Sequence, residues 1–568
     1  MIMKKSIILA AIAAVVLTGC KDSFLDRQYK GEVISQEKFE RLGSETLEGT
    51  LLGLYTMIYS DGSSSHDVFG QRSIDLWGDI LCGDIAVTNK TYGWLYRDEQ
   101  MLTATGRTGY VWGFYYDLIH NANAVIETIY NNKEFTGRIE QYGLPSANDT
   151  AYKYFEANDT TYAVYLAQAL SLRAYCYANI FRWYTPVNYY PVGTSSFMTG
   201  QDITTYQCAP VYNETNYTKP QALSTSEQVF QQVYKDFSDA IMYFDAFGGY
   251  DRTSKLQIDE YVARGLFAYA LINAVPYYRE LDNAKYTAYN TLALQLADSV
   301  ITSGEFQMIN RQNLTETGFN DASNPSWMWG QTVVTETAGG LKSWFGQVDI
   351  HSYSYAWAGD TKVIDENLLG SLKDGHPWDA RVLWFNDGET KSAFKDCPDG
   401  KFFSNKNRYS TAAEDIDREW LSDNVLMRFE SMYLIAAEAA MNLDQIAKAK
   451  EYLTTLTAER VLDDDSETIN EYNDFVNSLS SADKFRTELT YNWRVEMWGE
   501  GFGLQTFRRL TGTTKRGGNH DYAGGQEVNA TDASFNMQIP TSEATYNPYV
   551  GDDNRNKIVK FTKLTKAY

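Results

Sequence analysis

The chain has 568 residues, a formal net charge of −23 and an isoelectric point near 4.7. This acidity disfavours nucleic acid as a partner, because nucleic-acid binding depends on clustered Lys and Arg side chains that neutralise phosphates. It also makes a neutral ligand more plausible than a polyanion.

The first twenty residues have the organisation of a bacterial lipoprotein signal peptide. Lys4 and Lys5 precede an apolar run over residues 7–17, which is too short to span a bilayer as a helix. The run ends in the lipobox pattern Leu17-Thr18-Gly19-Cys20. We therefore predict that residues 1–19 are a signal peptide and that lipidation of Cys20 tethers the protein to a membrane. The alternative is an ordinary signal peptide that happens to precede a cysteine.

Helical periodicity of apolar residues dominates the rest of the chain. It predicts helices at about residues 36–59, 111–129, 162–183, 229–244, 259–278, 284–303, 423–442, 445–461 and 481–498. The helix over 162–183 is apolar on its other sides too, which indicates a central, buried position. Ser224 and Glu227 have capping-box spacing before the fourth helix, and Gly304 follows the sixth, where a left-handed turn is expected. Neighbouring helices joined by short loops indicate helical hairpins of tetratricopeptide-like shape, although no regular repeat period is present.

Long segments of a different composition, rich in Gly, Asn, Asp, Ser, Tyr and Trp, separate the helices. These insertions are residues 60–110, 185–222, 305–420 and 511–568. Segments of this length rarely stay structureless inside a compact domain unless they are functional. The sequence thus predicts a mainly α-helical scaffold with little β-structure, carrying elaborate loops.

Aromatic residues make up 14% of the chain, and many of the 42 Tyr and 13 Trp fall in these insertions. A flat ring packs on the C–H face of a sugar, while Asp, Asn or Arg side chains hold its hydroxyl groups, and rigid aromatics offer contact area at little entropic cost. Three pairs two residues apart would point to one side of an extended segment, as in a ligand platform or equally in one face of a small sheet. They are Trp94 and Tyr96, Trp327 and Trp329, and Tyr355 and Trp357. Any single ring is more often packing beneath its own loop.

No motif of a catalytic or metal site is found. The five histidines lack metal-ligand spacing, and there is no nucleophile elbow, phosphate-binding loop or dinucleotide fingerprint. The acidic run at 463–465 lacks calcium-loop spacing and reads as a solvated loop. Cys176 falls on a predicted buried helix, and the sequence cannot pair Cys82, Cys208 and Cys397 in disulfides. We therefore expect no enzymatic activity, cofactor or metal. A surface glycoside hydrolase is the main alternative, since such an enzyme needs only two well-placed carboxylates.

A set of short motifs runs in order along almost the whole chain. They are Cys20-Lys21-Asp22-Ser23-Phe24-Leu25-Asp26, Trp112, Tyr115-Tyr116, Asn121-Ala122-Asn123, Leu172-Arg173-Ala174-Tyr175, Tyr184, Pro186, Arg428-Phe429-Glu430, Ala437-Glu438-Ala439, Glu496, Gly499-Glu500-Gly501, Arg508-Arg509, Ile539-Pro540 and Asn547-Pro548. Together they resemble the SusD-like (SusD/RagB) family of outer-membrane nutrient-binding lipoproteins. Two positions depart from the family pattern: Gly503 and Thr506 stand where an Arg and an Asp are usual, so a structural salt link is missing.

The resemblance implies a single domain over residues 21–568, built on about four tetratricopeptide-like helix pairs with long ligand-binding loops. It implies a lipid-anchored protein on the outer face of the outer membrane, with a SusC-like TonB-dependent transporter as partner. The implied function is non-catalytic capture of an oligosaccharide, although some relatives bind peptides, so a peptide-binding or structural lipoprotein is a second alternative.

The family's ligand loops correspond here to residues 60–105 and 305–360. In these loops the resemblance and the aromatic count together predict stacking rings at Trp94, Tyr96, Trp327, Trp329 and Trp357. The predicted groups that hold sugar hydroxyls are Asp84, Asn89 and Arg97. Tyr92 and Tyr355 complete the predicted ligand site.

Overall fold

The computed structural model describes residues 44–59, 66–88, 107–145, 153–187, 202–252, 254–314, 318–334, 337, 339–349, 354–356, 358–386, 403–404, 422–521, 523–530, 535 and 537–551. Helices dominate these ranges. They are α1 (Ser44–Tyr59), α2 (Gln71–Cys82), α3 (Arg107–Tyr130), α4 (Lys133–Tyr142), α5 (Ala157–Tyr184), α6 (Ser226–Ala246), α7 (Glu260–Tyr278), α8 (Asn283–Ile301), α9 (Trp344–Val348), α10 (Glu366–Lys373), α11 (Glu430–Asn442), α12 (Ile446–Ala458), α13 (Ser466–Ser478), α14 (Ala482–Glu496), α15 (Gly503–Thr506) and α16 (Thr541–Tyr546).

The β-structure consists of short antiparallel pairs of strands. The strands are β1 (Ile85–Val87), β2 (Gln207–Pro210), β3 (Leu223–Thr225), β4 (Trp327–Gln331), β5 (Lys362–Ile364), β6 (Phe385–Asn386), β7 (Phe403–Ser404), β8 (Asn424–Arg428), β9 (Thr513–Lys515) and β10 (Glu527–Asn529). β1 pairs with β5, β2 with β3, β4 with β8, β6 with β7 and β9 with β10. The prediction of a mainly α-helical chain with little β-structure is confirmed.

The long helices pack one against the next. α3 packs on α5, α5 on α6, α6 on α7, α7 on α8, α8 on α11, and α11 on α12 and α14. The hairpins α7–α8 and α11–α12 have the short connections that the sequence predicted. α5 is buried around its whole circumference between Ala163 and Phe181, as its all-round apolar sequence indicated.

The helix predictions need correction at several points. The helix predicted from residue 423 begins only at Glu430, because Asn424–Arg428 pairs with β4 as strand β8. The capping box of α6 is formed by Thr225 and Gln228, one residue later than predicted. α2, α4 and α13 were not predicted, and Asp465, from the predicted solvated loop, caps α13. Gly304 does adopt a left-handed conformation, with φ +81°.

Among the described residues, no helix combines the length and the hydropathy of a membrane span. Cys82, Cys176 and Cys208 are buried free thiols. The predicted signal peptide, Cys20 and Cys397 lie outside the described ranges.

Candidate functional site

The two insertions expected to hold the ligand are brought side by side. β1 and β5 pair in antiparallel register, with Ile85 opposite Ile364, and Thr88 N donates to Thr361 O over 3.1 Å. Several predicted ligand residues near these strands fall outside the described ranges, so their roles stay predictions. They are Asn89, Tyr92, Trp94, Tyr96, Arg97 and Trp357.

Trp327 and Trp329 do not form the predicted stacking platform. Both indoles are buried, at 0% and 1% exposure, and irregular register in β4 sends them into separate clusters. Trp329 Nε1 donates to Leu256 O over 2.7 Å, and Trp327 Nε1 donates to Gly318 O over 2.8 Å. The structure corrects the prediction for these two rings, which pack and hydrogen-bond inside the fold.

Asp84 and Tyr355 are also turned inward. Asp84 Oδ1 accepts a hydrogen bond from Arg494 Nε over 2.7 Å, and the carboxylate is 2% exposed. Burial raises the pKa of Asp84, against the opposing charge of Arg494. The hydroxyl of Tyr355 is bonded to His66 Nδ1, and Tyr355 is 8% exposed. Asp84 is therefore not placed to hold a sugar hydroxyl, and the buried ring of Tyr355 does not form an open surface for a ligand, in contrast to the two predictions.

The charged residues of the sequence motifs form buried ion pairs. The guanidinium of Arg428 contacts Glu430, Glu496 and Glu500, all with side chains at most 2% exposed. Two further motif residues, Arg173 and Arg509, pair with Asp236 and Glu438, respectively. These charged side chains therefore hold the helices together rather than face a ligand.

The departure from the motif pattern at Gly503 has a packing reason. Gly503 N donates to Asp79 Oδ1 over 3.0 Å, and a Cβ atom at this position would lie 2.5 Å from Asp84 Oδ2. An Arg side chain cannot occupy this position without displacing both carboxylates. The backbone of Gly503 therefore lies close to the Asp79 and Asp84 carboxylates, at the position where the family pattern has the Arg of a salt link.

A cleft of about 460 Å³ lies between α3, the loop after β2 and α16. Its aromatic lining is Trp112, Tyr116, Tyr212 and Tyr217. Its other lining residues are Asp117, Ile119, His120, Thr218, Lys219, Pro220 and Glu543. Aromatic walls with a few convergent polar groups are typical of small-molecule sites. We call this the α3 cleft.

Helix periodicity places the first wall of the α3 cleft. Trp112, Tyr116 and His120 are four residues apart, so they share one face of α3. The ring centroids of Trp112 and Tyr116 are 4.9 Å apart, and Trp112 Nε1 donates to Glu543 Oε2 over 3.1 Å. Tyr116 also donates its hydroxyl proton to Pro210 O over 2.7 Å. These contacts fix both rings against the scaffold.

The opposite wall is a hydrogen-bonded loop. Tyr212 N donates to the hydroxyl oxygen of Tyr177 over 2.6 Å, and that hydroxyl donates to Tyr212 O over 2.9 Å. Tyr217 donates to Glu127 Oε2 over 2.8 Å and stands edge-on to the His120 ring at 5.1 Å. The loop therefore presents two rings whose positions are set before any ligand arrives.

The imidazole and phenol groups of the two walls favour their uncharged forms. Loss of surrounding water lowers the pKa of His120, which favours the uncharged imidazole at neutral pH. Burial raises the pKa values of Tyr116, Tyr212 and Tyr217, so their phenols stay protonated. Such groups offer hydroxyl and imidazole hydrogen bonds without net charge. Within the described ranges, no group of His, Cys, Asp or Glu side chains is suited to hold a metal ion.

Sequence reasoning missed the α3 cleft. Its walls come from α3, from the insertion over 185–222 and from the insertion over 511–568, rather than from the two expected ligand loops. The aromatic spacing on α3 was a visible signal. The hydrogen bond between Trp112 and Glu543 was not visible in the sequence, because 431 residues separate the two positions.

Solved structures of the SusD superfamily share the helical fold of this chain. The SusD family model matches residues 286–559. A SusD-like carbohydrate binding protein from Bacteroides vulgatus superposes with a TM-score of 0.66 at 18% identity, covering 92% of this chain and 99% of that chain. A SusD superfamily protein from Bacteroides thetaiotaomicron gives a TM-score of 0.64 at 16% identity, covering 91% and 100%. One from Bacteroides fragilis gives 0.60 at 15% identity, covering 91% and 99%. No curated protein sequence matches the chain. Residues 286–559 therefore belong to the SusD family, and the chain has the helical fold of SusD superfamily structures.

Proposed function

We propose that the protein is a non-catalytic cell-surface lipoprotein that binds a neutral oligosaccharide and delivers it to a SusC-like TonB-dependent transporter in the outer membrane. The observation that carries the proposal is the α3 cleft, with its fixed aromatic walls and uncharged hydroxyl and imidazole groups. A structurally similar protein is described as carbohydrate binding, which supports the same ligand class.

The chemistry of the α3 cleft suits a saccharide. Half-buried phenol rings at Tyr212 and Tyr217 offer flat apolar faces for the C–H side of a sugar. Asp117, His120 and Lys219 are exposed beside them and provide acceptors and donors for hydroxyl groups. Acidic and basic groups are mixed in the lining, so it has no cationic surface that would select an anion.

Location and partner are proposed from the lipobox and the family. Lipidation of Cys20 is tested by labelling cells with an alkyne-tagged fatty acid, with Cys20→Ala as the unlabelled control. The partner is tested by co-purification from detergent-solubilised outer membranes. Absence of label, or absence of any TonB-dependent transporter from the purified complex, would contradict that part of the proposal.

Ligand binding is tested with an array and calorimetry on neutral gluco-, manno-, xylo- and galacto-oligosaccharides. We expect one series to bind, and Tyr217→Ala and Tyr212→Ala to weaken binding at least about tenfold, ~1.4 kcal/mol, because each removes an aromatic contact. The matched control is Tyr142→Ala, a tyrosine 39% exposed and outside the α3 cleft.

The same experiment separates the alternatives. Purified protein that releases new reducing ends, and loses this activity in Asp117→Asn or Glu543→Gln, would be a glycoside hydrolase. Binding to peptides with no binding to any saccharide would identify a peptide-binding lipoprotein. Equal affinity of wild type and Tyr217→Ala for the bound sugar would exclude the α3 cleft as its site.

A further inference from the structure

We propose that the bound oligosaccharide continues out of the α3 cleft over Tyr546 and Tyr549, so that the protein prefers chains longer than the cleft holds. This inference rests on the proposed function. It assigns a second contact surface, the tyrosine rim, defined as Tyr546 at the end of α16 and Tyr549 in the turn that follows.

The rim begins where the α3 cleft ends. Glu543 lines the cleft, and Tyr546 lies three residues later on α16, so their side chains are neighbours on the helix surface. Tyr546 and Tyr549 are 65% and 58% exposed, the two highest values among the large apolar side chains that the structure describes. Single exposed apolar residues are ordinary, but this pair adjoins an aromatic-lined cleft.

The turn that contains the tyrosine rim is hydrogen-bonded to the wall of the α3 cleft. Asn547 Nδ2 donates to Gln221 O over 2.8 Å, and Gln221 directly follows the lining residue Pro220. Asn547 Oδ1 accepts from Tyr549 N over 3.0 Å, and Asn547 is 6% exposed. The backbone of the rim is therefore held in place before binding, which lowers the entropy lost when a ligand packs on it.

Glu543 connects the cleft and the rim. Its Oε2 accepts from Trp112 Nε1 over 3.1 Å, and its Oε1 accepts from Asn547 Nδ2 over 2.7 Å. One carboxylate thus fixes the innermost ring of the cleft and the turn of the rim together. This arrangement makes Glu543 a positioning residue.

The size of the α3 cleft limits how much of an oligosaccharide it can enclose. Its volume of about 460 Å³ lies in the lower half of the usual range for ligand pockets. An oligosaccharide of many units must therefore leave the cleft. Exposed tyrosine faces suit its outer units, because they provide apolar area on side chains with few rotatable bonds.

The test compares a disaccharide with a hexasaccharide from the series that gives the strongest array signal, by calorimetry. We expect the double variant Tyr546→Ala/Tyr549→Ala to bind the disaccharide within about twofold of wild type, and the hexasaccharide at least about fivefold more weakly. Tyr142→Ala is the control for loss of an exposed tyrosine, and circular dichroism checks the fold of each variant.

The other outcomes are distinguishable. If the double variant binds the hexasaccharide like wild type, while Tyr217→Ala does not, the rim inference is wrong and the proposed function stands. If the double variant loses affinity for both sugars equally, the tyrosines belong to the cleft and the extension is also wrong. If wild type binds neither sugar, both proposals fall.

Discussion

Arg428 stands at the centre of a network of charges sealed from water. Its Nε lies 2.9 Å from Glu500 Oε2, and its Nη1 lies 2.9 Å from Glu430 Oε2 and 3.1 Å from Glu496 Oε1. Arg460 approaches the same Glu496 at 2.9 Å, and every one of these side chains is at most 2% exposed. Although burial alone would raise it, the charges of Arg460 and Arg428 hold the pKa of Glu496 well below its usual range.

Replacing Glu496 with Gln tests this network. We expect a loss of about 3–5 kcal/mol in the free energy of unfolding, because buried guanidinium groups lose their counter-charge. Urea unfolding of wild type and variant measures the difference, and Asp464→Asn, at an ion pair whose carboxylate is 96% exposed, is the control expected to change nothing measurable.

The stability difference between wild type and Glu496→Gln should also depend on pH. A carboxyl group whose folded pKa is depressed stabilises the fold above its unfolded pKa, roughly 4.3 for Glu, and loses that stabilisation only as the pH falls through the folded value. The difference between wild type and Glu496→Gln should therefore hold from neutral pH down to about 4. A difference that disappears between pH 7 and 5 would show that Glu496 is not ionised by its neighbours.

At the scale of the element, α6 begins directly after β3, which follows the loop that forms one wall of the α3 cleft. Thr225 Oγ1 accepts from Gln228 N over 3.2 Å, and Gln228 Oε1 accepts from Thr225 N over 2.9 Å. The pairing of β2 with β3 leads the chain into this cap. The start of α6 is therefore fixed by Thr225, not by Ser224.

Alanine substitution of Thr225 and of Ser224 tests which of the two residues caps α6. Thr225→Ala should lower the free energy of unfolding by about 1 kcal/mol through loss of the N-cap, while Ser224→Ala should leave it nearly unchanged. Thermal unfolding followed by circular dichroism measures both. A larger loss in Ser224→Ala than in Thr225→Ala would contradict the cap seen in the structure.

At the scale of the molecule, most buried apolar residues of the described ranges form one cluster that extends from α1 to the segment after α16. Within the described ranges, this continuity agrees with the prediction of a single domain. Trp329 joins the cluster from strand β4 and meets Tyr175 of α5 edge-on, with ring centroids 5.2 Å apart. Its indole links the small β4–β8 sheet to the central helix.

Trp329→Ala distinguishes a packing role from a ligand role. We expect a loss of about 3–5 kcal/mol in stability, as for other buried large-to-small substitutions, with ligand affinity of the folded protein within about twofold of wild type. Calorimetry below the unfolding transition provides the affinity. A variant of normal stability that no longer binds saccharide would restore the stacking role predicted from sequence.

The amino-acid sequence by itself determined the helical class, most long helices and the family, because helix periodicity and short motifs are local patterns. Arg428, Glu496 and Glu500 belong to the motifs that carry the family resemblance, and they also form buried ion pairs that stabilise the fold. The same local motifs therefore indicated both the family and the fold. Only the tertiary structure decided which aromatic rings face water. Trp329 contacts Leu256 and Tyr175, which are distant in the sequence, and Trp112 contacts Glu543 across 431 residues. No local pattern encodes such contacts.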